Sequence, residues 1–293
     1  MGSVLKRVVR PVRSPLFWLL IMAPLIVGIA SISSGQFGQR GRRNQTVLPD
    51  GTIVDRQGVP EWTLEDEFKG DVFTFARVRY ESGGRGREKW KTDFPDSDLN
   101  FSFRLQQLTS IKVDPNPVIV TLDDPRIFEY PFLYMIEPGD MLELTQEEIE
   151  GLRLYCFNGG FMMVDDFWGE WEYQTFYEQI KRVFPEREPQ ELPLDHEIFH
   201  CVYDLPIKPQ VPSINQAVGG RAYGITWERP DAEEVHYRAI LDDENRIMVL
   251  ICHNTDLGDG WEREGVDEWY FHEFSEKLAY PMGINIVTYA MTH

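Results

Sequence analysis

From Val72 onward, apolar and polar positions fall into blocks, and the period within each block predicts an element. Val72 to Tyr80 is strand-like, Leu99 to Ile111 repeats apolar residues at helical spacing, and Pro117 to Leu122 is a short apolar strand. Thr145 to Phe157 is a helix with both ends marked. Thr145 stands as N-cap, Glu148 closes a capping box, and Asn158-Gly159-Gly160 supplies a left-handed stop. Phe161 to Val164 follows as a strand and Trp171 to Phe184 as a helix. Val235 to Leu241 and Arg246 to Cys252 form a hairpin turning at Asp243-Glu244-Asn245, and Val266 to Met291 reads as two helices interrupted at Pro281. Strands alternating with helices predict an α/β domain with a mainly parallel sheet.

The start of the chain has a different pattern. Leu16 to Ile32 (LFWLLIMAPLIVGIASI) is an apolar run inside 26 uncharged residues between Arg13 and Arg40, and it predicts an N-terminal hydrophobic helix. Two readings stand. Residues 16–32 are long enough to anchor the chain in a membrane with the basic end inside, or they are a secretory signal cleaved near Gly28-Ile29-Ala30. Either reading puts the domain outside the cytoplasm, membrane-anchored in the first case and secreted or periplasmic in the second. The expected organisation is a basic and hydrophobic signal or anchor over 1–43, a flexible stalk over 44–71 and the α/β domain over 72–293.

Charge sharpens this picture. Residues 1–43 carry seven basic side chains and no acidic one, so the rest of the chain holds 22 basic against 48 acidic, a net of −26. Such a field repels phosphate backbones and excludes nucleic acid as a partner, leaving the membrane and envelope proteins as candidates. The three cysteines, Cys156, Cys201 and Cys252, lack CxxC spacing and read as small buried apolar groups.

Ligands of an open parallel sheet bind beyond the carboxyl ends of its strands, so candidate chemistry is sought there. The Gly-rich loop after the first strand carries Arg85 and Arg87, whose guanidinium forks suit an anion, although neither a dinucleotide-binding fingerprint nor a P-loop is present. After Val164 come Asp165 and Asp166, either of which could act as a base or bind a cation, and then Trp168, a packing residue or a ligand platform. The segment from His253 to Trp261 gathers an imidazole with Asn254, Asp256 and Asp259 on one Gly-containing loop, without the spacing of an EF-hand. His196-Glu197-Ile198-Phe199-His200 matches HExxH, which on a long helix would bind zinc through His196 and His200 with Glu197 activating water. Pro193 and Pro206 leave no room for such a helix, so the metallopeptidase reading is disfavoured and no metal is assigned.

Five strings together, Trp90 to Asp98, Tyr130 to Tyr134, Gly159 to Gly169, His253 to Trp261 and Gly283 to Val287, resemble the domain of unknown function 4159 family. The resemblance implies a flavodoxin-like, class I glutamine-amidotransferase-like α/β fold with helices on both faces of the sheet, in bacterial proteins often associated with membranes. It implies no established reaction. The nucleophilic cysteine of the wider amidotransferase group is absent where Val164-Asp165-Asp166 stands, which argues against glutamine hydrolysis. The expected function is therefore ligand or partner binding at the strand-end crevice. The alternative is a cell-envelope hydrolase in which Asp165 or Asp166 is the base, His253 an acid or base, and Trp168 and Trp261 stacking surfaces. The residues name no cofactor.

Overall fold

The computed structural model describes residues 47, 51–64, 72–83 and 88–293. The hydrophobic segment 16–32 and the pair Arg85 and Arg87 lie outside the described residues. Among the described residues, no helix is long and apolar enough to cross a membrane.

Seven strands form one sheet in the order β2-β1-β3-β4-β7-β6-β5. They are β1 (Ala76–Val78), β2 (Val118–Val120), β3 (Phe132–Ile136), β4 (Phe161–Asp165), β5 (Gln190–Glu191), β6 (His236–Leu241) and β7 (Ile247–His253). The first five in that order run parallel, and β6 and β5 add an antiparallel edge. The central strands β3, β4 and β7 are buried throughout, which is why they read as unbroken apolar runs.

Side-chain alternation divides the core between the two faces of the sheet. Phe75, Tyr134, Met163, Leu250 and Cys252 face α1 (Asp96–Leu108), α5 (Leu257–Glu262) and α7 (Tyr280–Thr292), and the short helices α4 (Ile214–Gly220) and α6 (Glu268–Tyr270) flank α5 along the chain. Leu133, Met135, Val164, Val249 and Ile251 face α2 (Gln146–Phe157) and α3 (Gly169–Val183). The expected capping box is formed: Glu148 N donates to Thr145 Oγ1 at 3.2 Å, and Thr145 N to Glu148 Oε2 at 2.8 Å.

Several expectations are corrected in detail. Strand β3 was not anticipated. The segment after His253 is a loop only as far as Asp256, which caps α5 by accepting from Asp259 N at 2.7 Å. No break occurs at Pro281. A π-helical stretch, Phe271–Ala279, runs directly into α7, and Pro281 stands two residues past its end, inside the continuous helix. Cys156 and Cys252 are buried, but Cys201 is exposed, with its Sγ 3.3 Å from the carbonyl oxygen of Asn285. Residues 51–64, within the segment expected to be a stalk, lie against the domain. Trp62 Nε1 donates to the Val113 carbonyl at 2.7 Å, and Arg56 Nη1 to Asn116 Oδ1 at 2.8 Å.

Strand β1 has β2 on one side and β3 on the other, so the chain reverses direction across the sheet at β1 and β3. In open α/β sheets such a point, beyond the carboxyl ends of the strands, is where ligands bind.

Candidate active site at the strand ends

Three residues on one face of neighbouring strands found the site. Arg77 of β1 is in register with Tyr134 of β3, and Asp165 ends β4 opposite Ile136. All three are shut off from solvent. Tyr134 Oη donates to Asp165 Oδ2 at 3.0 Å, and the same oxygen accepts from Gly258 N, at the start of α5, at 3.0 Å. The guanidinium of Arg77 lies 5.0 Å from the centre of the Tyr134 ring.

Arg77 spends all five N–H donors on the chain that follows its own strand. It meets Asp98 through Nε at 2.9 Å and through Nη2, Ser97 Oγ at 2.9 Å, and the carbonyls of Trp90 and Thr92 at 3.0 Å each. A buried charge needs such full pairing. The result is a strut pinning residues 90–98 to the sheet. Asp93, within that span, takes a left-handed backbone (φ 60°), and its Oδ2 lies 3.0 Å from where a Cβ on Gly258 would stand.

Helix α5 brings the remaining carboxylates. Asp259 Oδ2 accepts from Ile214 N at 2.6 Å and lies 3.4 Å from Tyr270 Oη. Its Oδ1 accepts from Arg263 Nε at 3.0 Å. Glu262 is three residues on, so it shares a helix face with Asp259. One oxygen each from Asp93, Asp259 and Glu262 lies within 4.8 Å of the others. Asp166 and Asp256 interact electrostatically with this trio, and Asp165 with both of them.

The electrostatics follow from burial and like charge. Burial first, then the charges of Glu262, Asp259 and Asp166, hold the Asp93 carboxyl well above the ordinary range. Burial and the neighbouring carboxylates do the same to Asp256 and Asp166. Burial lifts Asp165 to about 7, against the pull of its backbone and Tyr134 hydrogen bonds. Burial also lifts Glu262 to about 7, opposed by Arg263. Asp93 Oδ2 and Asp165 Oδ1 are buried without a hydrogen-bond partner. Glu262 Oε2 likewise lacks one, although Arg263 Nη2 stands 2.6 Å from it.

Of the residues singled out in the sequence, Asp165, Asp166, Asp256 and Asp259 come together here. Asp166 sits in the sharp turn after β4 with φ 55°, a conformation that costs most side chains but that Asp tolerates. Asn254 (φ 63°) is a clamp between two strand-end turns. Its Oδ1 accepts from Gly169 N at 2.9 Å and its Nδ2 donates to the Glu234 carbonyl at 2.7 Å. Trp168 is buried and turns its indole N–H to Asp166 Oδ1 at 3.1 Å. Trp261 is buried among Phe75, Phe101 and Tyr134. Neither indole presents a free face for stacking.

His253 lies apart from the cluster. Two residues after Ile251, it shares that residue's sheet face, opposite Asp165. Its ring packs against Phe167 at 5.0 Å and Tyr173 at 4.9 Å. Nδ1 is 3.1 Å from Arg238 Nη1 and Nε2 is 3.1 Å from the Gly169 carbonyl, a pairing that fits the neutral tautomer with the proton on Nε2. Burial leads in lowering its pKa to about 3.

The HExxH segment is a single 3-10 turn, Glu197–Phe199. His196 caps it through Nδ1, and the two ring nitrogens of His200 face Asp204 Oδ1 at 2.6 Å and the Leu194 carbonyl at 2.7 Å. A separate groove of about 710 Å³ lies at the ends of β1 and β2, beside the start of α2. Its lining includes Arg79, Glu81, Asp123 and Glu148, none of which belongs to the carboxylate cluster.

Asp93, Glu262, Tyr134 and Arg77 were missed as site residues. The Asp259/Glu262 spacing becomes a signal only once the segment is known to be helical, and Asp93 becomes one only once Arg77 is seen to fold its loop back over β3. A comparison with curated proteins gave no match. The model of the domain of unknown function (DUF4159) family matches residues 74–291, which spans the sheet, its helices and every carboxylate of the cluster, and the chain belongs to that family.

Proposed function

We propose that this domain is a ligand-binding module whose strand-end crevice receives a cationic group, and that residues 16–32 hold it against a membrane with the domain outside the cytoplasm. The observation that carries the proposal is the convergence of Asp93, Asp165, Asp166, Asp256, Asp259 and Glu262, with Arg263 the cation pairing with two of them. Buried carboxylates in mutual contact are relieved by a proton or by a bound positive charge. The net charge of −26 outside the basic start adds a long-range field that draws cations toward the domain.

The test is thermal unfolding of the full-length protein with calcium chloride, spermidine or glucosamine, and with N-acetylglucosamine as the neutral control. The proposal expects at least one cationic probe to raise the melting temperature at slightly alkaline pH, and the shift to shrink in Asp166→Asn. Equal behaviour of charged and neutral probes would refute it. Protease treatment of intact cells tests the placement: a domain that resists digestion until the inner membrane is opened contradicts it.

One observation favours hydrolysis as a second reading. Asp165 and Glu262 both titrate near 7, where a carboxyl can exchange a proton during a reaction. His253 lends this reading little, because both its ring nitrogens are engaged on the other face of the sheet.

A further inference from the structure

The trio Asp93, Asp259 and Glu262 has properties that a diffuse acidic patch lacks. Three carboxylate oxygens from two separate chain segments lie within 4.8 Å of one another. Carboxylate oxygens gathered this closely can converge on one cation at about 2.0–2.6 Å, the range spanned by magnesium– and calcium–oxygen distances. The set contains no imidazole or thiolate, so it suits hard cations rather than zinc.

The ligands are also held in place. The Arg77 strut fixes Asp93, hydrogen bonds from Ile214 N and Tyr270 secure Asp259, and Glu262 rides on the same helix as Asp259. The independent pointer to a ligand is a pair of buried carboxylate oxygens, one from Asp165 and one from Asp93 of the trio, that lack partners. Asp165 is fully buried, and while its Oδ2 is tied to Gly258 N on α5, its Oδ1 has no partner. Asp93 Oδ2, next to Gly258, is also buried and unpartnered. Unsatisfied buried oxygens are rare because each forfeits its hydration.

We infer that Asp93, Asp259 and Glu262 bind one divalent cation of the hard, oxygen-preferring class. This rests on the reading of the crevice as a receiver of positive charge and narrows it to a metal ion. Three protein ligands leave coordination positions for water or for a ligand oxygen, so the ion can bridge the domain to an anionic or polyhydroxylated molecule. Arg263 is the internal competitor. Its guanidinium occupies Asp259 Oδ1 and approaches Glu262 Oε2, and its partial exposure lets it swing aside.

The test is equilibrium dialysis of full-length protein, stripped with EDTA, against calcium or manganese chloride with elemental analysis, and in parallel against spermidine. The expected result is one divalent ion per chain, affinity lower by at least about tenfold in Glu262→Gln, and affinity higher in Arg263→Gln. Glu262→Gln is preferred to an Asp259 variant because Asp259 also tethers Ile214. Metal uptake unchanged in Glu262→Gln overturns this site. Spermidine binding without metal binding overturns the metal and leaves the cation-receiving crevice standing, and failure of both probes overturns both readings.

Discussion

Asp165 gives the domain an unusual dependence of stability on pH. Most native carboxyls have lowered pKa values and stabilise a protein as pH rises, whereas Asp165 is raised from 3.8 to about 7, mainly by burial. Between those two values the folded protein keeps a proton that the unfolded chain has released. Stability from this group is therefore full below about pH 4, declines as pH rises, and is lost above about pH 7. At about 1.4 kcal/mol per pH unit, the loss across the window is about 4 kcal/mol. Asp165→Asn removes the ionisation with little change of shape, since an amide oxygen can accept from both Tyr134 and Gly258 N as Oδ2 does. Urea unfolding of full-length protein in EDTA, followed by tryptophan fluorescence, measures the effect. The variant should gain up to about 4 kcal/mol over the natural protein at about pH 8, and the two should agree within about 1 kcal/mol at about pH 4. Parallel pH profiles for the two proteins would refute the reasoning.

Arg77→Met should lower stability by about 3–5 kcal/mol in urea unfolding, because it strands the Asp98 carboxylate in the core, and it should weaken cation binding by releasing Asp93. Asp98→Asn with Arg77→Met should recover part of that stability but not the binding. Gly258→Ala would place a methyl 2.7 Å from Tyr134 Oη and 3.0 Å from Asp93 Oδ2. It should cost about 1–3 kcal/mol and shift the carboxylate titration, visible by carboxyl-carbon NMR. Thr145→Ala removes the α2 capping box and should cost about 1 kcal/mol without touching cation binding, which makes it a control for stability effects alone.

The sequence made elements with local signals plain. Thr145, Glu148 and the Asn158-Gly159-Gly160 stop carried the α2 boundaries because a cap is made within a few residues, and the apolar runs of β4 and β7 were visible because strands buried on both faces leave no polar gaps. Strand β3 is an apolar run of the same kind, but Pro131 directly before it and Pro138-Gly139 soon after give this short stretch the flanks of a loop. The short helix after Asp256 escaped because Leu257-Gly258-Asp259-Gly260 has the composition of a turn. Its glycines answer to tertiary contact, Gly258 against Tyr134 and Asp93 and Gly260 against Ala279, which no local pattern reveals.

The site was half legible for the same reason. Strand-end position pointed to Asp165, Asp166, Asp256 and Asp259, since parallel strands deliver their carboxyl ends to one edge. Proximity in sequence suggested that His253 belonged with them, but strand alternation sends it to the opposite face. Asp93 depends on a strut 16 residues away in sequence, with Arg77 buried although arginine usually marks a surface.

The most direct test of the central claim is anomalous diffraction from crystals of the protein soaked in manganese chloride at neutral pH. A difference peak bonded to oxygens of Asp93, Asp259 and Glu262, absent in Glu262→Gln, is the predicted result. A crevice without anomalous signal at saturating manganese, with the three carboxyls bonded to one another through shared protons, would contradict it.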